Sequence, residues 1–224
     1  MSKVLFILTS HNQLGDTGKE TGFHFSEATK VWWPLREAGH EIDFVSPQGG
    51  ECPIDSFDLD DPINRKVWEK DAFQQGVKRT KQPGEVQASD YDGIYFVGGH
   101  GTMWDLPENK EIQGLAMDIY EQGGFVGAIC HGSAGIVNAK LSSGEYFVKD
   151  KKINCFTDAE EKSVELDDTV PFLLASRHER HGALLEYSDP VQAHVVVHER
   201  VLTGQNPASA TPLGHAIVSY LASL

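Results

Sequence analysis

Residues 123–140 are "GGFVGAICHGSAGIVNAK", a stretch that predicts a strand, a sharp turn and the start of a helix. The apolar run "FVGAIC" indicates a buried strand that ends at Cys130. The following "HGSAGIVNAK" has the small and apolar spacing of a helix, and its first residue is His131. The sequence therefore predicts a cysteine and a histidine side by side at the carboxyl end of a buried strand.

The segments on both sides of this stretch continue the alternation of strands and helices. Apolar strands are predicted at "KVLFILTS", "EIDFVSP", "YDGIYFVGG", "KKINCFT", "HVVVHE" and "RVLTG". Helices are predicted at "HFSEATKVWWPLREAGHE", "PENKEIQGLAMDIYEQGG", "TVPFLLASRHERHG" and "ASATPLGHAIVSYLASL". This alternation predicts an α/β fold in which a mostly parallel sheet is sandwiched by helices.

Composition and charge limit the size of the fold and the classes of partner. The 224 residues, 40% of them hydrophobic, suit one α/β domain over residues 1–224. The net charge of −14 repels a phosphate backbone and an anionic membrane, so we expect neither nucleic acid nor a membrane as partner. The start, "MSKVLFILTSHNQ", is predicted to be a first strand and not a signal peptide. Three scattered cysteines favour a reducing cytoplasm over a disulfide framework.

Residues 48–90 interrupt the strand and helix pattern. They are rich in Asp, Pro and Gly around one helical piece, "INRKVWEKDAFQQG". We predict an insertion that covers the top edge of the domain as a cap or lid, and not a separate domain.

The surroundings of Cys130 predict a reactive thiol. In a strand–turn–helix nucleophile elbow, the residues two before and two after the nucleophile must be small, and here they are Ala128 and Gly132. A cysteine at the start of a helix also lies near the positive end of the helix dipole, which lowers a thiol pKa. The thiolate would then be the reactive form of Cys130.

Other residues in the strand-end loops could complete such a site. Gly98 and Gly99, in "FVGGHGTMWDL", allow a sharp turn whose N–H groups could form an oxyanion hole. Glu27 lies in the first predicted helix, where it is either solvated or a buried acid with a raised pKa. The carboxylates of "CFTDAEEK", residues 155–162, are expected to be mostly solvated.

The ten histidines raise the question of a metal. His178 and His181 lie one helical turn apart in "RHERHG", a spacing that can bind a metal but differs from the metalloprotease helix motif. We expect a solvated helix end at this place and no catalytic metal.

Several motifs together resemble the ThiJ/PfpI superfamily, and within it the branch of heat-shock chaperones with glyoxalase III activity. These motifs are "FSEA", "GGHGTMWDL", "AICHG", "CFTDAEE" and "LTGQNPASA", and the resemblance covers nearly the whole chain. It implies a flavodoxin-like fold of the class I glutamine amidotransferase type. Ser133 is a departure, because the superfamily often has proline after "CHG".

The resemblance implies a role for each matching residue. Cys130 would be the nucleophile and His131 its base, with Glu161 orienting the histidine. Asp158 and Glu160 are close enough in the sequence to remain alternatives for that third position.

The resemblance also implies an acid and an anion pocket beside the cysteine. Glu27 would be an acid that hydrogen-bonds the sulfur. The turn of Gly98 and Gly99, with the backbone N–H groups of Gly99 and His131, would bind the anionic oxygen.

The implied activity is a glutathione-independent glyoxalase, a lyase of the D-lactate dehydratase class that detoxifies methylglyoxal to lactate under stress, without a cofactor and as a homodimer. The chemistry agrees with the residues, because a thiolate can attack the aldehyde of a small 2-oxoaldehyde while nearby groups move protons. Alternatives are a holdase chaperone that binds unfolded client proteins, with the cysteine as an oxidation sensor, and a cysteine peptidase. A glutaminase needs a closely spaced late histidine and glutamate, for which "HERHG" is the one stretch to consider.

Overall fold

Ten strands are present in the computed structural model, which describes all residues 1–224. They are β1 Lys3–Ile7, β2 Phe23–His24, β3 Glu41–Val45, β4 Ile54–Asp55, β5 Gly93–Phe96, β6 Phe125–Ile129, β7 Lys152–Ile153, β8 Leu184–Leu185, β9 Val195–His198 and β10 Val201–Gly204. Six of these strands form the central sheet in the order β3-β1-β5-β6-β10-β9. All neighbours in the sheet are parallel except β9, which runs antiparallel to β10 at the edge.

Nine α-helices accompany the strands. They are α1 Phe25–Glu37, α2 Pro62–Trp68, α3 Asp71–Lys78, α4 Thr102–Asp105, α5 Lys110–Glu121, α6 Ala134–Val137, α7 Asp158–Ser163, α8 Leu174–Arg180 and α9 Ala210–Ala222. None of them is long and apolar enough to cross a membrane. The predicted α/β fold with a mostly parallel sheet between helices is confirmed.

Two apolar cores lie on the two faces of the sheet, because successive residues of a strand point to opposite sides. Phe6 of β1 and Tyr95 of β5 face α1 and α9, whereas their neighbours Ile7 and Ile94 face α5. The central strands are buried on both faces, which explains why they are apolar without interruption. Their carboxyl ends meet at one edge of the sheet, where parallel α/β sheets bind ligands.

Residues 48–90 pack against the first of these cores. They contain α2 and α3, which bury Val67, Phe73 and Val77 in the core that α1 and α9 share. Strand β4 of this segment pairs with β2, and β2 leads directly into α1. The segment is thereby connected to the helix that carries Glu27.

The helix predicted after Cys130 is much shorter than expected. A single 3₁₀ turn, Cys130–Ser133, is followed by the four-residue α6. So short a helix has a weak dipole, and this weakens the argument for a low thiol pKa.

Candidate active site

The turn after β6 holds Cys130 in a strained backbone conformation. Its φ is +53°, in the left-handed region that non-glycine residues seldom adopt, which costs about 1–3 kcal/mol. Gly132 allows the tight turn, because a Cβ there would lie 2.4 Å from the carbonyl oxygen of Phe96. The strand and turn thus present the Cys130 thiol at the carboxyl edge of the sheet, with only 3% of the residue exposed.

A chain of two hydrogen bonds connects Cys130 to a carboxylate. The sulfur lies 3.3 Å from Nδ1 of His131, and Nε2 of His131 lies 2.7 Å from Oε2 of Glu161. An ionised carboxylate only accepts hydrogen bonds, so Nε2 carries the ring proton and Nδ1 is left to accept a proton from the thiol. His131 is therefore arranged as a base toward Cys130.

The two neighbouring carboxylates contact other groups. Asp158 accepts a hydrogen bond from the Ser176 hydroxyl, and both oxygens of Glu160 are occupied. The donors to Glu160 are the backbone N–H groups of Thr157 and Val191, the Thr157 hydroxyl and the Asn206 amide. Of the three acids that the sequence left open, Glu161 is the one that contacts His131. Glu160 and Glu161 are buried, so the expectation of mostly solvated carboxylates is wrong for both.

His100 is a member of this network that the sequence reasoning did not assign. Its Nε2 lies 2.8 Å from Oε1 of Glu161, and its ring centroid lies 4.0 Å from that of His131. The ring of Phe156 also packs against that of His131, with the ring centroids 4.5 Å apart. The available signal was the histidine that follows Gly99 directly in "GGHG".

Glu27 lies fully buried in the first turn of α1. Burial raises the pKa of its carboxyl from 4.5 to about 8, against the opposing effects of the Cys130 thiol and the backbone N–H of Gly98. Neither carboxyl oxygen has a hydrogen-bond partner of good geometry. Glu27 and Cys130 pack against Gly98, where a Cβ would lie 2.2 Å from Oε2 and 2.9 Å from the cysteine Cβ. At neutral pH Glu27 is thus a protonated acid next to the cysteine.

Burial sets the protonation of the hydrogen-bonded chain. It raises the pKa of the Cys130 thiol well above its ordinary value, the neighbouring Glu27 carboxyl raises it further, and the backbone N–H of His131 lowers it. The expectation that the helix start lowers the thiol pKa is therefore wrong, because the effect of burial outweighs that of the short helix. Burial also lowers the pKa of His131 to about 4. Burial alone would raise the pKa of Glu161, but hydrogen bonds from His100 and His131 hold it at about 2.

The Gly98–Gly99 turn lies beside the elbow. Gly99 has a φ of +110°, and a Cβ there would lie 2.3 Å from the carbonyl oxygen of Gly22, so the position requires glycine. The Thr102 hydroxyl lies 2.8 Å from the carbonyl oxygens of both Gly99 and His131 and thereby joins this turn to the elbow. The backbone N–H of Gly99 donates no hydrogen bond within the protein.

One group of side chains has the composition of a metal site. Ligand atoms of His100, His131 and Glu161 lie within 4.8 Å of one another. A metal there would displace both hydrogen bonds to the carboxylate and take His131 away from the thiol. His178 and His181 were expected at a solvated helix end, and this expectation is wrong for His178. His178 is fully buried, and its Nε2 lies 3.1 Å from the Ser133 hydroxyl oxygen.

Known proteins resemble this chain over almost its full length. Glyoxalase 3 of Candida albicans is 31% identical, and the match covers 98% of both chains. A glutathione-independent glyoxalase of Saccharomyces cerevisiae is 33% identical over 93% of each. The X-ray structure of the Rapid Encystment Protein of Francisella tularensis is 38% identical and superposes with a TM-score of 0.94 over 99% of both chains. The DJ-1/PfpI family matches residues 19–220, and the chain therefore belongs to the DJ-1/PfpI family.

Proposed function

We propose that the protein is a glutathione-independent glyoxalase of the glyoxalase III type, which converts methylglyoxal into lactate. The observation that carries the proposal is the pairing of a buried thiol with His131 as base and with Glu27 as a neutral acid. The relatives named as glyoxalases, at 31% and 33% identity, support the same activity. We assign the reaction to the lyases of the D-lactate dehydratase class.

The proposed reaction needs no external oxidant or reductant. The sulfur of Cys130 forms a bond to the aldehyde carbon, and the resulting hemithioacetal carries the former thiol proton on its oxygen. A base removes the hydrogen of that carbon and a proton is delivered to the neighbouring ketone carbon, while the hydroxyl proton passes to the former ketone oxygen, which gives the thioester of lactate. Water then cleaves the thioester and restores the thiol. The aldehyde carbon is oxidised while the ketone carbon is reduced, so the sum is methylglyoxal plus water to lactic acid.

The protonation states assign the proton transfers. Because the Cys130 thiol is protonated at rest, its proton passes to Nδ1 of His131 as the sulfur attacks. Glu161 stabilises the resulting imidazolium, and the N–H groups of Gly99 and His131 bind the developing oxyanion. Glu27, protonated at neutral pH, is placed to donate a proton and to accept it back.

The burial of the nucleophile favours a small aldehyde over a peptide substrate. With 3% of Cys130 exposed, an extended peptide does not reach the sulfur in this conformation. We propose that residues 48–90 act as a cap beside the site and restrict its size. Asp55 of β4 supports this location, because it pairs with His24 of β2, directly before the helix that carries Glu27.

A steady-state assay with methylglyoxal and without glutathione tests the proposal. Wild type should produce lactate, and Cys130→Ala should lower turnover by several orders of magnitude because the covalent nucleophile is lost. Cys52→Ala is the matched control, since Cys52 is also buried but contacts Thr80. The proposal fails if wild type forms no lactate or if Cys130→Ala is equally active.

A second candidate function, a holdase chaperone, is favoured by exposed apolar side chains that are close in the sequence. Leu184, Tyr187, Val191 and Val197 are each at least half exposed. Such a surface suits unfolded client proteins or the second copy of a homodimer. Cys130→Ala should then still suppress the heat aggregation of a client protein. If wild type suppresses aggregation but turns over no 2-oxoaldehyde, the chaperone function replaces the enzyme.

A further inference from the structure

One carboxylate in the site is shared by two histidines. Glu161 uses Oε2 for His131 and Oε1 for His100, at 2.7 and 2.8 Å. Its side chain is 3% exposed, and those of His131 and His100 are 1% and 18% exposed. Glu161 lies 61 residues from His100 in the sequence, so the contact connects helix α7 to the turn that follows β5.

We propose that His100 is a positioning residue for the base of the glyoxalase reaction, an inference that rests on the proposed function. The Nε2–H of His100 holds one carboxylate oxygen, which turns the other oxygen toward Nε2 of His131. His131 is thereby kept in the ring orientation and tautomer that direct Nδ1 at the Cys130 sulfur.

The need for His100 follows from the two oxygens of the carboxylate. An ionised carboxylate that is almost fully buried requires donors at both oxygens. Without a donor at Oε1, the Glu161 carboxylate would rotate so that both of its oxygens share the N–H of His131, or water would enter to bind Oε1. Either change would move the His131 ring. A displacement of this kind changes the distance from Nδ1 to the sulfur, on which proton transfer depends.

The charge of the group also constrains His100. Glu161 offers one negative charge to two rings whose centroids are 4.0 Å apart. When His131 receives the thiol proton, its positive charge compensates the negative charge of Glu161. A second proton on His100 would then repel the proton on His131. A charge on His100 accordingly disfavours the protonated form of His131.

Three variants of His100 separate positioning from packing. His100→Phe keeps a ring but removes the donor. His100→Gln carries an N–H donor on a side chain long enough to reach Glu161, and His100→Asn carries the same amide one methylene shorter. His11→Phe is the matched control, because His11 stacks on Trp104 with centroids 5.2 Å apart and contacts no carboxylate.

The measurements include one that does not depend on glyoxalase activity. The ring N–H of His131 that is bonded to Glu161 should give a downfield proton resonance in wild type, which His100→Phe loses. The pH profile of Cys130 alkylation by iodoacetamide should shift in the same variant. With methylglyoxal, kcat should fall by about 100-fold in His100→Phe and His100→Asn with KM little changed, because a misplaced base costs about this much. His100→Gln should recover most of kcat.

The outcomes distinguish the two proposals. An unchanged resonance, alkylation profile and kcat in His100→Phe would overturn the positioning role, as would equal losses in His100→Gln and His100→Asn. If wild type has no glyoxalase activity but the resonance and the alkylation profile change as expected, the positioning role stands and the proposed function fails. Should His100→Phe not fold, the comparison of Gln with Asn decides.

Discussion

The protonated state of Glu27 makes a quantitative prediction about stability. Its carboxyl is neutral in the folded protein up to a pKa of about 8, whereas it ionises near 4.5 when the chain unfolds. A folded pKa that is raised gives a stability contribution that is fully present below the unfolded pKa and is lost as the pH rises through the folded pKa. Between these two values, wild type should lose unfolding free energy with every unit of pH.

The magnitude follows from the two pKa values. One pKa unit corresponds to about 1.4 kcal/mol, and the carboxyl is partly ionised at both ends of the range, so between about pH 5 and about pH 8 it should cost about 3 to 4 kcal/mol. Glu27→Gln cannot ionise and does not lose this free energy. The difference in unfolding free energy between the variant and wild type should therefore shift by about 3 to 4 kcal/mol in favour of the variant. The pH-independent part of the difference reflects the packing of the amide.

Urea unfolding of both proteins, followed by tryptophan fluorescence at several pH values, measures this shift. Glu37→Gln serves as the control, because Glu37 belongs to the same helix and is exposed. Its difference from wild type should change little with pH. A difference for Glu27→Gln that stays constant over the same range would refute the buried neutral acid, whatever the enzyme's activity. Turnover should fall sharply in this variant, because the amide cannot transfer the proton.

Three further predictions concern the site. Gly98→Ala should abolish turnover and destabilise the fold, since its Cβ would lie 2.2 Å from Oε2 of Glu27. Gly114→Ala, where an added Cβ contacts no other atom, should stabilise the fold by up to about 1 kcal/mol. Urea unfolding and the methylglyoxal assay check both variants. Mild peroxide should oxidise Cys130 before the other two cysteines, because it alone has a histidine beside it, and mass spectrometry that finds another cysteine modified first would contradict the elbow. Turnover should be unchanged after exhaustive chelation, and a loss that zinc restores would show a catalytic metal.

Much of the fold could be predicted from the sequence because its signals are local. Apolar runs such as "YDGIYFVGG" identify strands that are buried on both faces, and the alternation with amphipathic helices requires a mostly parallel sheet. The helix after Cys130 was overestimated, since small and apolar residues are compatible with a helix but do not decide how far it continues. The chain turns away after α6, and the dipole expected from a longer helix is missing.

The sequence indicated Cys130, His131, Glu27 and Glu161 as candidates, but it indicated neither His100 nor the protonation states of these groups. Whether Glu27 is solvated or neutral depends on the packing around Gly98, which is 71 positions away and invisible to a helix pattern. The choice of Glu161 over Glu160 depends on donors from distant loops that occupy Glu160. His100 escaped notice for a similar reason, because a lone histidine in a glycine-rich turn has no meaning until its partner Glu161 is known.

The glycines around the nucleophile also limit how a protein of this design can evolve. At Gly98 and Gly132, the addition of a single methyl group would collide with the acid or with the neighbouring strand, at 2.2 and 2.4 Å. Even a single added methyl group is therefore not tolerated at these two positions, and a mutation there abolishes the reaction instead of modifying it. We expect new substrate preferences to arise instead in the proposed cap, for example around Asp55 and Phe57, where side chains are partly exposed and can be exchanged. Natural variation among such proteins should accordingly concentrate in the segment after residue 48 while the strand ends stay fixed.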